Sequence, residues 1–198
     1  MDQIPAPRTI PEVVARAAQR FGDREGLVDG DLRLTFAGVA DRIDEAARAL
    51  IATGVEPGDR VAVWAPNAAE WIFAALGVHC AGGVLIPVNT RFKGAEAADI
   101  LERSGARLLC TVTDFLDTDY VKLLDQVGRP STLEEVVVLR GTAAAGTTAW
   151  GDFLDRAASV SHEDASARAA AVEPGGVSDI LFTSGTTGRP KGAMLGHE

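Results

Sequence analysis

Cysteine, histidine and aromatic side chains are scarce in this chain of 198 residues, which has 2 cysteines, 3 histidines and 6% aromatics. Cys80 and Cys110 stand far apart in apolar surroundings, so two buried, reduced thiols are expected rather than a disulfide framework. His79, His162 and His197 show no ligand spacing with cysteines or carboxylates, so no zinc motif is read. Basic clusters are missing as well. The formal net charge is −9, and an acidic balance of this kind argues against nucleic acid and against an anionic membrane surface. The opening Met1-Asp2-Gln3-Ile4-Pro5 has neither the basic start nor the apolar core of a secretion signal. One uncharged run, Trp71 to Val88, nears the roughly 18 residues that raise the question of a membrane span. Gly77, Gly82, Gly83, Pro87 and the central His79 divide it into helix, turn and strand. A soluble, cytoplasmic protein without a transmembrane segment is expected, and 46% hydrophobic residues suffice for one good-sized core.

Two common nucleotide signatures are also absent. No Gly-Lys followed by Ser or Thr opens a helix, and no Gly-x-Gly-x-x-Gly occurs. What is present is the stretch Thr183-Ser184-Gly185-Thr186-Thr187-Gly188-Arg189-Pro190-Lys191-Gly192, introduced by the apolar run Ile180 to Phe182, which reads as a buried strand. Glycines allow a loop to fold back so that successive backbone N–H groups face one concavity and hold an anion. The hydroxyls of Thr183, Ser184, Thr186 and Thr187 add neutral donors, and Lys191 adds a mobile positive charge. That combination suits a polyphosphate. A flexible Ser/Gly linker with a stray lysine is the bland alternative.

These residues resemble the signature loop of the acyl-adenylate-forming (AMP-binding) superfamily, which includes acyl-CoA synthetases, peptide-synthetase adenylation domains and luciferases. Two further segments are similar to that family. Leu34-Thr35-Phe36-Ala37-Gly38-Val39 resembles its early "LTY-x-E-L" element, with Ala37-Gly38 where an acidic residue is more usual. His79 to Arg91 resembles its "A-G-x-x-x-x-P-x-N/D" segment, here read as scaffold: close packing at the glycines and a proline at a strand end. The resemblance implies an ATP-dependent acid–thiol ligase, whose substrates are a carboxylic acid, ATP and CoA. In such enzymes Thr183 to Lys191 would hold the ATP phosphates, and Thr183 would also help place Mg²⁺. Asp179 and Arg189 are read as solvent-facing or structural, and no catalytic residue is assigned in this stretch of sequence.

The remaining chain reads as alternating helices and strands, hence an α/β fold with a largely parallel sheet and flanking helices. Thr9 caps a helix with Val13, Val14, Ala17 and Ala18 on its apolar face, ended by Gly22. A hairpin turns at Asp29-Gly30-Asp31, and Thr35 caps a long helix running to Gly54. Strands are expected at Arg60–Trp64, Val84–Val88, Leu108–Val112 and Glu135–Leu139. Helices are expected at 67–81, 94–104, 120–127 and 150–158, with a surface loop at 141–148. Residues 159–176 read as polar and alanine-rich, broken by Pro174-Gly175-Gly176.

By the resemblance, residues 1–198 are the N-terminal part of the large AMP-binding domain, truncated. The aromatic-Gly-x-Thr-Glu and Thr-Gly-Asp segments, the hinge and the C-terminal lid with its lysine have no counterpart, so the fragment alone is expected to be inactive. Three readings follow: part of an acyl-CoA ligase acting on fatty or steroid-derived acids, an adenylation domain loading a carrier protein, or a non-catalytic remnant.

Overall fold

The structure, a computed structural model, describes residues 6–183 and 190–198. Helix α1 (Ile10–Phe21) starts at Thr9, whose hydroxyl accepts from the Glu12 N–H while the Glu12 carboxylate accepts from the Thr9 N–H, a capping box. Its expected apolar face is only partly used, since Val13 is 50% exposed. Strands β1 (Glu25–Asp29) and β2 (Leu32–Thr35) form the expected hairpin, with Gly30 at φ +58° in its turn. Thr35 then caps α2 (Phe36–Ala52), accepting from the Gly38 N–H at 3.1 Å.

From there the chain alternates: β3 (Arg60–Trp64), α3 (Ala69–Cys80), β4 (Val84–Pro87), α4 (Gly94–Ser104), β5 (Leu108–Val112), α5 (Tyr120–Asp125), β6 (Glu135–Arg140), β7 (Thr148–Ala149) and α6 (Trp150–Leu154). A 3-10 turn over Asp155–Ser159, helix α7 (His162–Ala170) and strands β8 (Val177–Thr183) and β9 (Lys191–Gly196) complete it. The order of the large sheet is β7-β6-β5-β3-β4-β8-β9. All its pairings are parallel except β8 with β9.

β3 lies between β4 and β5, so the crossover through α3 steps one way along the sheet and the crossover through α4 steps back the other way. Right-handed crossovers of opposite direction put their helices on opposite faces. Accordingly α1, α2, α3 and α7 pack together, and α4 packs on α5. β3 is buried throughout its apolar residues, with Val61, Ala62, Val63 and Trp64 all at 0% exposure. Both thiols are free and buried. No helix among the described residues is long and apolar enough to cross a membrane.

Four expectations need correction. Helix α3 begins at Ala69, not Asn67, because its N-terminus is capped in trans: the Ala69 N–H donates to Asp29 Oδ2 in the distant hairpin at 3.0 Å. Thr148, expected at the end of a surface loop, instead pairs with Val137 in a short edge strand that continues to Ala149 beside Val138. Residues 162–170 form a helix whose Ser161 hydroxyl accepts from the Asp164 N–H. Finally, Ile180–Phe182 lies in a strand, but not a buried one, since within β8 only Ser178 is buried and Leu181 is 36% exposed.

Candidate phosphate site

Parallel α/β sheets bind ligands outside the carboxyl ends of their strands, where neighbouring crossovers part to opposite faces. Here that point falls between β3 and β4. An open depression of about 770 Å³ lies there, lined by residues that include Ala65 and Asn67 after β3, Pro87 to Thr90 at and after β4, and Thr183 at the end of β8. Its floor is held from below. Fully buried Trp64 donates from Nε1 to the Asn89 carbonyl at 3.2 Å and stacks on Tyr120, with ring centroids 4.4 Å apart. The Tyr120 hydroxyl donates to the Thr90 carbonyl at 3.0 Å, and the Asn89 side chain accepts from the Arg91 N–H at 2.9 Å. The Asn89–Arg91 segment, expected as scaffold, is rigidly seated scaffold that also forms a wall of the depression.

β8 and β9 bring the two residues that flank the glycine-rich stretch together beside this place. Their antiparallel register pairs Phe182 with Gly192 and Thr183 with Lys191. Both ends of the candidate loop therefore meet at the mouth of the depression, with Thr183 and Lys191 exposed and Pro190 half-buried. Ser184, Gly185, Thr186, Thr187, Gly188 and Arg189, the remaining candidate residues, lie outside the described residues. Lys191 forms no ion pair among the described residues, which leaves its charge available to an anion. No group of three His, Cys, Asp or Glu side chains among the described residues could hold a metal ion.

Asp179 has a structural role rather than a solvent-facing one. It is the one β8 residue registered with β4, opposite Leu85. Its Oδ1 lies 3.5 Å from Nε2 of His79, a buried side chain in the last turn of α3 that forms no full hydrogen bond in this structure. At that distance the contact is electrostatic rather than a well-formed bond. Burial pushes the Asp179 carboxyl up, but the neighbouring His79 and the Ser178 hydroxyl outweigh it and the net displacement is downward. His197 sits edge-on to His79 at 5.8 Å and accepts from the Ile10 N–H through Nδ1 at 3.3 Å. Burial, then the nearby His79, holds His197 below the ordinary imidazole value against the opposing pull of Asp179. These contacts root β8 and β9 in the helical layer.

One residue at the site has no signal in the sequence. Arg103, in the last turn of α4, places its guanidinium 5.2 Å from the Phe182 ring centroid and donates to the Pro190 carbonyl at 2.8 Å. It reaches the base of the loop from 87 residues away in the chain. A second depression of about 450 Å³ lies at the opposite, amino-terminal edge of the sheet, lined by residues that include Arg60, Val84 and Val177. It has no part in the loop.

The domain is a largely parallel α/β sheet with its helices on both faces, and Thr183 and Lys191, which flank the glycine-rich stretch, pair with each other at the end of β8. The profile of the AMP-binding enzyme family matches residues 14–198, and the chain belongs to that family. It is 46% identical over 198 aligned positions to a 3-[(3aS,4S,7aS)-7a-methyl-1,5-dioxo-octahydro-1H-inden-4-yl]propanoyl:CoA ligase of Rhodococcus jostii (strain RHA1), an alignment covering 96% of this chain and 38% of the relative. The ligase of the same description from Mycobacterium tuberculosis (strain ATCC 25618 / H37Rv) is 44% identical, over 96% of this chain and 37% of its own length. Among solved structures, the anthranilate CoA ligase AuaEII in complex with anthranoyl-AMP superposes with a TM-score of 0.83 at 25% identity, covering 98% of this chain and 36% of that one. The fold is that of the N-terminal region of such ligases. The chain spans a little over a third of the length of these relatives.

Proposed function

We propose that residues 1–198 are the N-terminal part of the large domain of an AMP-forming acyl-CoA ligase, and that Thr183 to Lys191 hold the ATP phosphates. The observation that carries this reading is the Thr183–Lys191 register pair at the mouth of the switch-point depression. In the first half-reaction a carboxylate oxygen attacks the α-phosphorus of ATP, the bond to the bridging oxygen breaks, and pyrophosphate leaves an acyl-adenylate. In the second, the CoA thiol attacks the acyl carbon, AMP departs, and a thioester forms.

This chain's contribution is to the leaving group. Lys191 and the loop donors, Ser184, Gly185, Thr186, Thr187, Gly188 and Arg189 included by position, cradle the departing pyrophosphate, and Pro190, which has no N–H to donate, fixes the backbone ahead of Lys191. Donors fixed in advance stabilise charge as it develops without reorganising during the reaction. Mg²⁺, when bound, would neutralise phosphate charge, and Thr183 is the proposed protein contact. The exposed Thr183 hydroxyl fits that role, and with no carboxylate cage among the described residues most ligands would be phosphate and water oxygens.

The remaining walls of the adenine and acyl pockets, and a C-terminal lid, belong in this reading to sequence that the relatives carry beyond the matched segment. The acid is a ring-bearing propanoate or a fatty acid, the acceptor is CoA rather than a carrier protein, and the enzyme works in the cytoplasm. The identity to two ring-propanoate CoA ligases supports the acid and the acceptor. The test is acid-dependent exchange of labelled pyrophosphate into ATP by the whole product of the reading frame, across a panel of ring-bearing propanoates, medium-chain fatty acids and aryl acids. Exchange with one acid class, followed by thioester formation with CoA, is expected. Exchange with none of them refutes the proposal. The 198-residue chain alone is expected to release no acyl-CoA, and any turnover by it contradicts this division of the site.

A further inference from the structure

A loop that binds phosphate through backbone amides works only if its two ends are held at a fixed separation. β8 and β9 provide the ladder, but β9 is an edge strand whose six residues are all exposed, and such an edge has little packing of its own to hold it. Something outside the hairpin must fix its tip. α4 supplies the side chain that does so.

We propose that Arg103 is a positioning residue that clamps the base of the phosphate loop, gripping Phe182 just before it and Pro190 near its end. The inference rests on the reading of Thr183 to Lys191 as a phosphate loop. The Arg103 guanidinium lies 5.2 Å from the centroid of the Phe182 ring, within cation–π range. Nη1 donates to the Pro190 carbonyl at 2.8 Å and to Asp99 Oδ2, one turn earlier on α4, at 3.0 Å. Asp99 thus aims the guanidinium, and α4, anchored by buried Ala97, Ile100 and Leu101, is the fixed support.

The hairpin is shaped to receive this grip. Phe182 faces Gly192 across the ladder, and a Cβ at Gly192 would come within 3.3 Å of the Phe182 ring and 3.0 Å of Ile180. The missing side chain lets the ring lie over the β9 backbone, the arrangement by which an aromatic covers a cross-strand glycine. Gly192, Phe182 and Arg103 therefore form a stack from β9 through β8 to α4. A lysine could replace the charge, but not a planar group that covers a ring while donating to two acceptors.

The test compares wild type with Arg103→Gln and Arg103→Lys in the whole product of the reading frame. Two readings are taken: amide hydrogen exchange of Thr183 and Lys191 without ligand, and affinity for tripolyphosphate. Arg103 is partly exposed and leaves the core intact, so the urea midpoint is expected to be unchanged. Both variants should speed exchange at the two amides by about fivefold or more, and weaken tripolyphosphate binding by about threefold to tenfold, the range expected when an ordinary hydrogen bond is lost. Full recovery of both readings in Arg103→Lys would show that the charge alone matters and overturn the clamp. Unchanged exchange in Arg103→Gln overturns it too. A wild-type chain that ignores tripolyphosphate refutes the phosphate reading instead, and the exchange data still judge the clamp.

Discussion

Replacing Tyr120 by phenylalanine removes one oxygen atom and tests how the wall of the phosphate site is held. Tyr120 is 2% exposed, and its hydroxyl donates to the Thr90 carbonyl at 3.0 Å. Thr90 is itself half-buried, so water can replace the lost donor at that carbonyl. The cost is therefore that of an ordinary neutral hydrogen bond, about 1 kcal/mol, rather than that of a stranded buried acceptor. For a domain of this size that corresponds to a fall in Tm of about 3 °C. The stack on Trp64 at 4.4 Å survives in the phenylalanine variant. Tyr120→Leu loses the ring as well, adding about 1 kcal/mol for the aromatic pair on top of lost burial. Urea unfolding followed by tryptophan fluorescence reads both variants, since Trp64 reports the stack directly. A Tyr120→Phe midpoint equal to wild type would refute the claim that this bond secures the Asn89–Arg91 wall. A loss of about 3 kcal/mol would show that the Thr90 carbonyl cannot reach water.

Other outcomes follow from single contacts. A Cβ at Gly94 would run into the Leu123 carbonyl oxygen, so Gly94→Ala should cost about 3 kcal/mol by forcing α4 and α5 apart, and a loss below about 0.5 kcal/mol in urea unfolding contradicts that packing. The Ala69 N–H, then Arg140, hold the Asp29 carboxyl below the usual carboxylate range. A depressed folded value stabilises above the unfolded one, near pH 4, and that gain disappears as pH falls through the folded value. The gap in urea midpoint between wild type and Asp29→Asn should therefore narrow from pH 6 to pH 3, and a constant gap would count against the pairing. Burial pushes the Cys80 and Cys110 thiols up to about 12, so a disulfide reagent at pH 8 should label neither until the chain is unfolded, and fast labelling of the native chain contradicts their burial.

Much of this architecture is legible along the sequence because it is locally encoded. The Thr9 capping box, the Asp29-Gly30-Asp31 turn, the helical spacing of Ile43, Ala46, Ala47 and Leu50, and the Val-rich strands all act within a few residues. α4 and β5 fall where their periodicity puts them. The failures come where distant residues decide. α3 takes its cap from Asp29, 40 residues earlier, so nothing beside Ala69 marks its start. Helix α7 buries only Ala165, which leaves little apolar periodicity to detect. Ile180 to Phe182 reads as a buried run, yet β8 has only the exposed strand β9 on its far side. The candidate loop stands out in residue order, whereas Arg103 and the His79–Asp179 contact arise only from the meeting of α4, α3 and β8.

In the proposed ligase, the stretch from Thr183 to Lys191 binds polyphosphate through Lys191 and the loop donors. Calorimetric titration of the 198-residue chain with ATP, tripolyphosphate and AMP, repeated with Lys191→Ala, measures that binding. ATP and tripolyphosphate should bind, AMP should bind far more weakly, added salt should weaken binding, and Lys191→Ala should reduce affinity about tenfold or more. Tripolyphosphate binding that is absent, or that is indifferent to Lys191→Ala, would contradict this proposal.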